Sequence, residues 1–306
     1  MKMRLTRVVL TGMLGLCSWP VSAQQELPPY TYVGSELHPL STTITENQDY
    51  LLYIQRPESY GADPERRYPV LYCLDGYWDF SYVSSIIGSM VWDRTAPEIL
   101  IVGIGYQGDN PDYEVLRRLD YTPVRDPGLV GSGGGRAFLS FLKQEVIPYV
   151  EANFRVDDSF RGLSGVSLGG LFTLYAMFEE PDLFQGHIAA APALGVGHRS
   201  LFAQESQFWV ERPDEPIYES RIPRELATRL FLAVGSDDQI TGLTGDVVAF
   251  HEIISRRRYQ GLSYKFRLIE GERHASAKIE SYSWGIRFVF AEYLAAQQAS
   301  VRVPGS

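Results

Sequence analysis

The sequence predicts an α/β domain: a mostly parallel central sheet flanked by helices on both faces. Three observations carry that expectation. Continuous apolar runs recur along the 306 residues, PVLYCLDG at 69–76, EILIVGIG at 98–105, HIAAAP at 187–192, LFLAVG at 230–235 and SYKFRLIEG at 263–271. Runs of this length without polar alternation suit strands covered on both faces. Helical patterns separate them, and strands alternating with helices close into parallel sheets. Finally, 45% apolar and 13% aromatic residues, with no internal repeat and no long low-complexity linker, supply one large core.

The elements follow in order. Residues 1–23 carry Lys2, Arg4 and Arg7, an apolar run from Val8, and Val-Ser-Ala before Gln24. This is the pattern of a cleaved export signal, with cleavage expected after Ala23 and a periplasmic or secreted destination. Residues 24–306 are then expected to form a single domain. LSTTIT at 40–45 and DYLLYIQRP at 49–57 read as antiparallel strands at a sheet edge. The helical patterns lie at 137–153, where Pro148 interrupts the periodicity, and at 171–178, 246–258 and 282–297. RGLSG at 161–165 reads as a weak strand.

Charge and cysteine content narrow the partners. The net charge is −9, and loss of three basic residues with the leader makes it about −12. No Lys/Arg cluster remains to neutralise phosphates, which argues against nucleic acid. Loss of Cys17 leaves Cys73 as the only thiol, so no internal disulfide is expected.

The chemistry centres on Gly165-Val-Ser167-Leu-Gly169, followed by Gly170. A nucleophile on a sharp strand-to-helix turn needs small neighbours, and the apolar run 171–178 supplies the helix that follows. A serine hydroxyl also needs a base to take its proton and a third group to hold that base. Downstream, VGSDDQ sets Asp237 and Asp238 after one strand, and IEGERHAS sets His274 after the next. Adjacent side chains in extended backbone point opposite ways, so one aspartate faces the site, and Asp238 is favoured. Of the five histidines, only His274 sits in a loop after a late strand; His38 precedes the core, His187 opens a buried strand, His198 lies in a loop after Pro192, and His251 lies in a helix. The order Ser167, Asp238, His274 is that of the α/β-hydrolase fold. Two oxyanion donors are expected, the backbone N–H of Leu168 and that of Tyr77 in the turn after Asp75-Gly76.

The runs YPVLYCLDGYWDF, ILIVGIGY, RRLDYTP, GGGRAFLSFLKQEVIPYVEANFRVD, GLSGVSLGGLFTLYAMFEEPDLF and EGERHASAKIESYSWGIRFVF cover most of the chain after the leader. They resemble the α/β-hydrolase esterase family that includes trilactone siderophore esterases, feruloyl esterases, S-formylglutathione hydrolases and mycolyltransferases. Among its branches the sequence is most similar to the periplasmic siderophore-hydrolase-like one. The resemblance implies a serine esterase with Ser167 as nucleophile, His274 as general base, and Tyr77 and Leu168 as oxyanion donors. Some siderophore esterases lack a conventional acid, which bears on Asp238. The resemblance also places RRLDYTP near the site entrance, with Arg118 either a substrate contact or part of an ion pair with Asp120 or another carboxylate. The aromatics Tyr77, Trp78, Phe80 and Tyr121 suit an aryl-bearing ester or belong to the core. Val166 stands where the branch often has histidine, and APALGVGHR at 191–199 replaces a serine- and tryptophan-rich stretch that is expected to line the pocket.

No cofactor is expected. GSGGGR at 131–136 lacks the lysine and Ser/Thr of a phosphate-binding loop, no dinucleotide fingerprint occurs, and no Cys or His pair has metal-ligand spacing. The expected partner is a small-molecule ester. An acyltransferase using the same three residues, and a binding protein that retains the fold without catalysis, are the competing readings.

Overall fold

In a computed structural model of the chain, the structure describes residues 32–47, 49–210 and 224–301. The expected export leader, residues 1–23, therefore lies outside the described residues. From Tyr32 onward the chain forms one compact unit around an eight-stranded sheet of order β1-β2-β4-β3-β5-β6-β7-β8. The strands are β1 (Ser35–Ser41), β2 (Asp49–Gln55), β3 (Tyr68–Cys73), β4 (Leu100–Tyr106), β5 (Val156–Val166), β6 (Gly186–Ala190), β7 (Arg229–Gly235) and β8 (Ser263–Ile269). β1 pairs antiparallel with β2, and β2 with β4; every other pairing is parallel. The parallel strands send their carboxyl ends to one edge of the sheet, where α/β folds build their sites.

The apolar runs form the central strands because both of their faces are covered. All six residues of β3 are buried, and alternate side chains enter different cores. Val70, Tyr72 and Leu74 join one with α5 (Leu168–Glu179) and α7 (Leu243–Arg257). Leu71 and Cys73 join the other with α1 (Gly76–Trp92) and α8 (Ala277–Val289).

Several boundaries differ from the sequence reading. The first edge strand begins upstream of LSTTIT, shares only Leu40 and Ser41 with it, and includes Pro39, whose missing N–H an edge tolerates. Residues 42–47 leave the ladder, and Thr42 Oγ1 instead accepts the N–H of Ile44. β8 is the other edge and is half-exposed rather than covered on both faces, with Lys265 and Arg267 lying over Trp284. The 137–153 pattern becomes α3 (Gly135–Phe141), a π-helical stretch Leu142–Val146 and α4 (Ile147–Asn153). That wider turn stands next to Pro148, which has no N–H to give an ordinary helical bond. The 282–297 pattern divides between α8 and α9 (Ala291–Val301) at Phe290. Three helices lie where no helix was expected: α1, α2 (Tyr113–Tyr121) and α6 (Val196–Val210).

Candidate active site

β5 ends at Val166, α5 begins at Leu168, and Ser167 alone makes the corner with φ 60° and ψ −117°. Such a backbone costs a non-glycine residue on the order of 1–3 kcal/mol and persists only where the surroundings fix it. Here Ser167 N–H donates to Ala190 O at 3.0 Å, while Ser167 O accepts from Leu171 N at 2.9 Å and Ala193 N at 3.0 Å. The turn closes so tightly that a Cβ at Gly165 would collide with the backbone of Gly169. One at Gly170 would lie 2.8 Å from Ala190 O. The two glycines are thus what lets helix and strand meet at this angle.

β7 ends at Gly235, and the next loop turns Asp237 and Asp238 in different directions. Asp237 Oδ1 accepts from Ser236 on the exposed side. The Asp238 side chain is fully buried; its Oδ1 accepts from Ile240 N at 2.9 Å and its Oδ2 lies 2.7 Å from His274 Nδ1. With that acceptor at Nδ1, the neutral imidazole carries its proton there and presents a lone pair at Nε2. The two loops are joined by backbone as well: Asp237 N donates to Glu272 O at 3.0 Å and Gly271 N to Ser236 Oγ at 2.8 Å.

The N–H groups of Tyr77 and Leu168 belong to the first turns of α1 and α5, where a helix leaves its amides without internal partners. The corner before α1 is Asp75, left-handed at φ 54° and ψ 42°. Its buried carboxylate receives both arms of Arg117, Nε at 2.9 Å and Nη2 at 2.8 Å, and its N–H donates to Tyr121 Oη at 3.1 Å. Burial would lower the guanidinium pKa, but Asp75 outweighs it and holds Arg117 charged. Arg117 also reaches Val166 O at 3.4 Å, so one ion pair braces both the α1 corner and the serine elbow.

The other expected site residues divide. Trp78 is 48% exposed, with the Arg117 guanidinium 5.7 Å from its ring centre. Tyr121 is wholly buried and spends its hydroxyl on Asp75, so it supports the site and does not line the pocket. Arg118 points away and donates to Val130 O at 3.2 Å; its neighbour Arg117 is the one inside. Asp120, offered as a partner for Arg118, accepts instead from Tyr50 Oη at 2.8 Å. Arg117 and Asp75 escape sequence reasoning because a charged pair in DG and RR dipeptides looks like surface. The available clue is the i,i+4 spacing of Arg117 and Tyr121, which puts the arginine on the inward face of its helix.

The segment 191–199 packs at the elbow through Ala193 and then runs left-handed through Gly197, His198 and Arg199. Asp126 Oδ2 accepts Gly197 N at 2.7 Å, and Arg199 pairs with Asp246 at 2.5 Å. Of the remaining histidines, His187 is buried against Thr228 and pushed down to about 3 by burial, and His251 stacks on Phe266. Among the described residues no group of three or more His, Cys, Asp or Glu could hold a metal ion.

A serine on a strained elbow at the carboxyl end of a parallel sheet, with an aspartate-bound histidine in the loop after another of its strands, fits a serine hydrolase of the α/β-hydrolase type. Residues 41–298 match the family model described as "Putative esterase", and the chain belongs to that family. It is 26% identical over 276 residues to ferri-bacillibactin esterase BesA of Bacillus subtilis, covering 85% of this chain and 90% of that protein. It is 27% identical over 252 residues to the siderophore triacetylfusarinine C esterase of Aspergillus fumigatus, covering 74% of this chain and 82% of that one. The crystal structure of the BES protein from Bacillus cereus superposes with a TM-score of 0.73 at 26% identity, over 87% of this chain and 98% of that chain. The protein is therefore an ester-hydrolysing enzyme.

Proposed function

We propose that the chain is an exported serine esterase that hydrolyses a siderophore lactone or related aryl ester through an acyl-enzyme. Ser167 Oγ attacks the ester carbonyl while its proton passes to His274 Nε2. The oxyanion rests on the N–H groups of Tyr77 and Leu168, strengthened by the positive ends of α1 and α5. Collapse breaks the ester C–O bond, and His274 returns the proton to the leaving alkoxide. Water then attacks the acyl-serine, gives its proton to His274, and releases the acid with Ser167 restored. The observation that carries this reading is the 2.7 Å contact between Asp238 and His274 Nδ1, which fixes the tautomer a base for Ser167 requires.

Three features support the finer points. One relative is named a ferri-bacillibactin esterase and another a siderophore triacetylfusarinine C esterase, which supports the substrate class. The exposed Trp78 ring beside Arg117 suits an electron-rich aryl group. The leader pattern of residues 1–23 supports export, and among the described residues no helix is long and apolar enough to cross a membrane.

The test is an ester panel of short acyl chains, hydroxycinnamates and catecholate trilactones, read by product mass for the chain from Gln24 and for Ser167→Ala and His274→Ala. The trilactone is expected to be the best substrate by kcat/KM, with losses of about 10³-fold or more in either variant. Preference for a simple short-chain ester would refute the substrate assignment, and full activity in either variant would refute the mechanism. Export predicts Gln24 as the first residue of the protein recovered from the periplasm or medium; an intact leader would contradict it.

A further inference from the structure

We propose that the ion pair between Asp79 and Lys278, completed by Tyr282, is a positioning device that sets the His274 turn in register with the oxyanion donor Tyr77. Asp79 lies in the first turn of α1, two residues after Tyr77, and is 2% exposed. Lys278 is the second residue of α8, four after His274, and Tyr282 follows one turn later. Lys278 Nζ reaches Asp79 Oδ1 at 2.6 Å, and Tyr282 Oη donates to Asp79 Oδ2 at 2.6 Å. Each carboxylate oxygen is held by a different residue of one helix, which fixes the two helices in translation and in rotation.

The turn that presents His274 is continuous with that helix. Ala277 N donates to Arg273 O at 2.9 Å, and Arg273 N to Ser276 Oγ at 3.1 Å, so residues 273–277 enter α8 as one stiff unit. Its other side is tied to the Asp238 loop through Glu272 O. His274 is thereby anchored twice, to its acid through the β7 loop and to the oxyanion turn through Asp79.

Stability gives a poor reason for such a pair. Burying Asp79 and most of Lys278 carries a desolvation cost that apolar residues of the same size would avoid. Geometry gives a better one. The base acts on Ser167 while the amide of Tyr77 holds the oxyanion, and about 1 Å of misplacement between such groups can cost on the order of 10²-fold in rate.

The inference rests on the roles proposed for His274 and Tyr77. Its test uses p-nitrophenyl butyrate with the chain from Gln24 and four variants: Lys278→Met, Asp79→Asn/Lys278→Met, Lys278→Arg and Tyr282→Phe. The double variant leaves no unpaired charge and is expected to fold, with kcat reduced about 10- to 100-fold and KM within about twofold. Lys278→Arg is expected to recover most of kcat, and Tyr282→Phe to lose about threefold or more. A folded double variant with undiminished kcat, or one whose loss lies wholly in KM, overturns the proposal. Should the double variant fail to fold, Tyr282→Phe and Lys278→Arg decide: unchanged kcat in the former or no recovery in the latter also overturns it. Ser167→Ala and His274→Ala run alongside, since turnover surviving there would refute the underlying site.

Discussion

Ser167 holds a conformation that no element would choose for it, and three backbone hydrogen bonds keep it there. Ser167 is legible in the sequence through the glycines that flank it, and His274 because it sits in a short loop after a late strand, where a polar residue has no core to serve. Asp238 is favoured in the sequence over its neighbour only by side-chain alternation, and the geometry that selects it is the contact with His274 Nδ1, 36 positions away. Arg117 is not legible beside Arg118, because the difference is which way a helix faces. The buried Asp75–Arg117 pair carries a prediction. Arg117→Met leaves a buried carboxylate without its partner and is expected to cost about 3–5 kcal/mol. Asp75→Asn/Arg117→Met is expected to regain much of that loss. Urea unfolding checks both, and an unchanged midpoint in the single variant would show that the pair does not brace the corner.

At the scale of elements, central strands were the easiest to read, since a strand covered on both faces needs nothing but apolar residues. The edges were harder: β1 and β8 are half-exposed, so their pattern mixes with that of loops. Helix α1 is hidden because its first residues, Gly76 to Trp78, serve the site rather than a helical stripe. Helix α2 is short and carries charges on its buried side, Arg117 and Asp120. Burial raises the Asp120 carboxyl to about 7, and the Tyr50 hydrogen bond only partly opposes it. The folded chain thus keeps a proton that the unfolded chain releases near pH 4, so this group costs nothing below that and progressively more up to about pH 7. Stability is expected to fall across that window by an amount on the order of 4 kcal/mol, and Asp120→Asn to remove that part of the slope. Urea titrations at several pH values read the difference directly. Identical slopes in the two proteins would contradict it.

At the scale of the whole molecule, the parallel sheet gathers four loops at one edge, those following β3, β5, β7 and β8, and each carries one part of the proposed site. Cys73 lies beside Ser164, and Asp238 meets His274, because the strand order places β3 beside β5 and β7 beside β8. The parallel sheet follows from the apolar runs and their order. The bracing pairs do not, because Asp75–Arg117 and Asp79–Lys278 join helices whose relative rotation depends on the packed cores. The central claim is that Ser167 forms an acyl-enzyme with His274 as its base. It is tested most directly by acid-quenching the chain from Gln24 during turnover of an aryl ester and mapping the added mass. The account predicts one acyl group, on Ser167, absent in Ser167→Ala and formed far more slowly in His274→Ala. An acyl group on another residue, or undiminished turnover by Ser167→Ala, would contradict it.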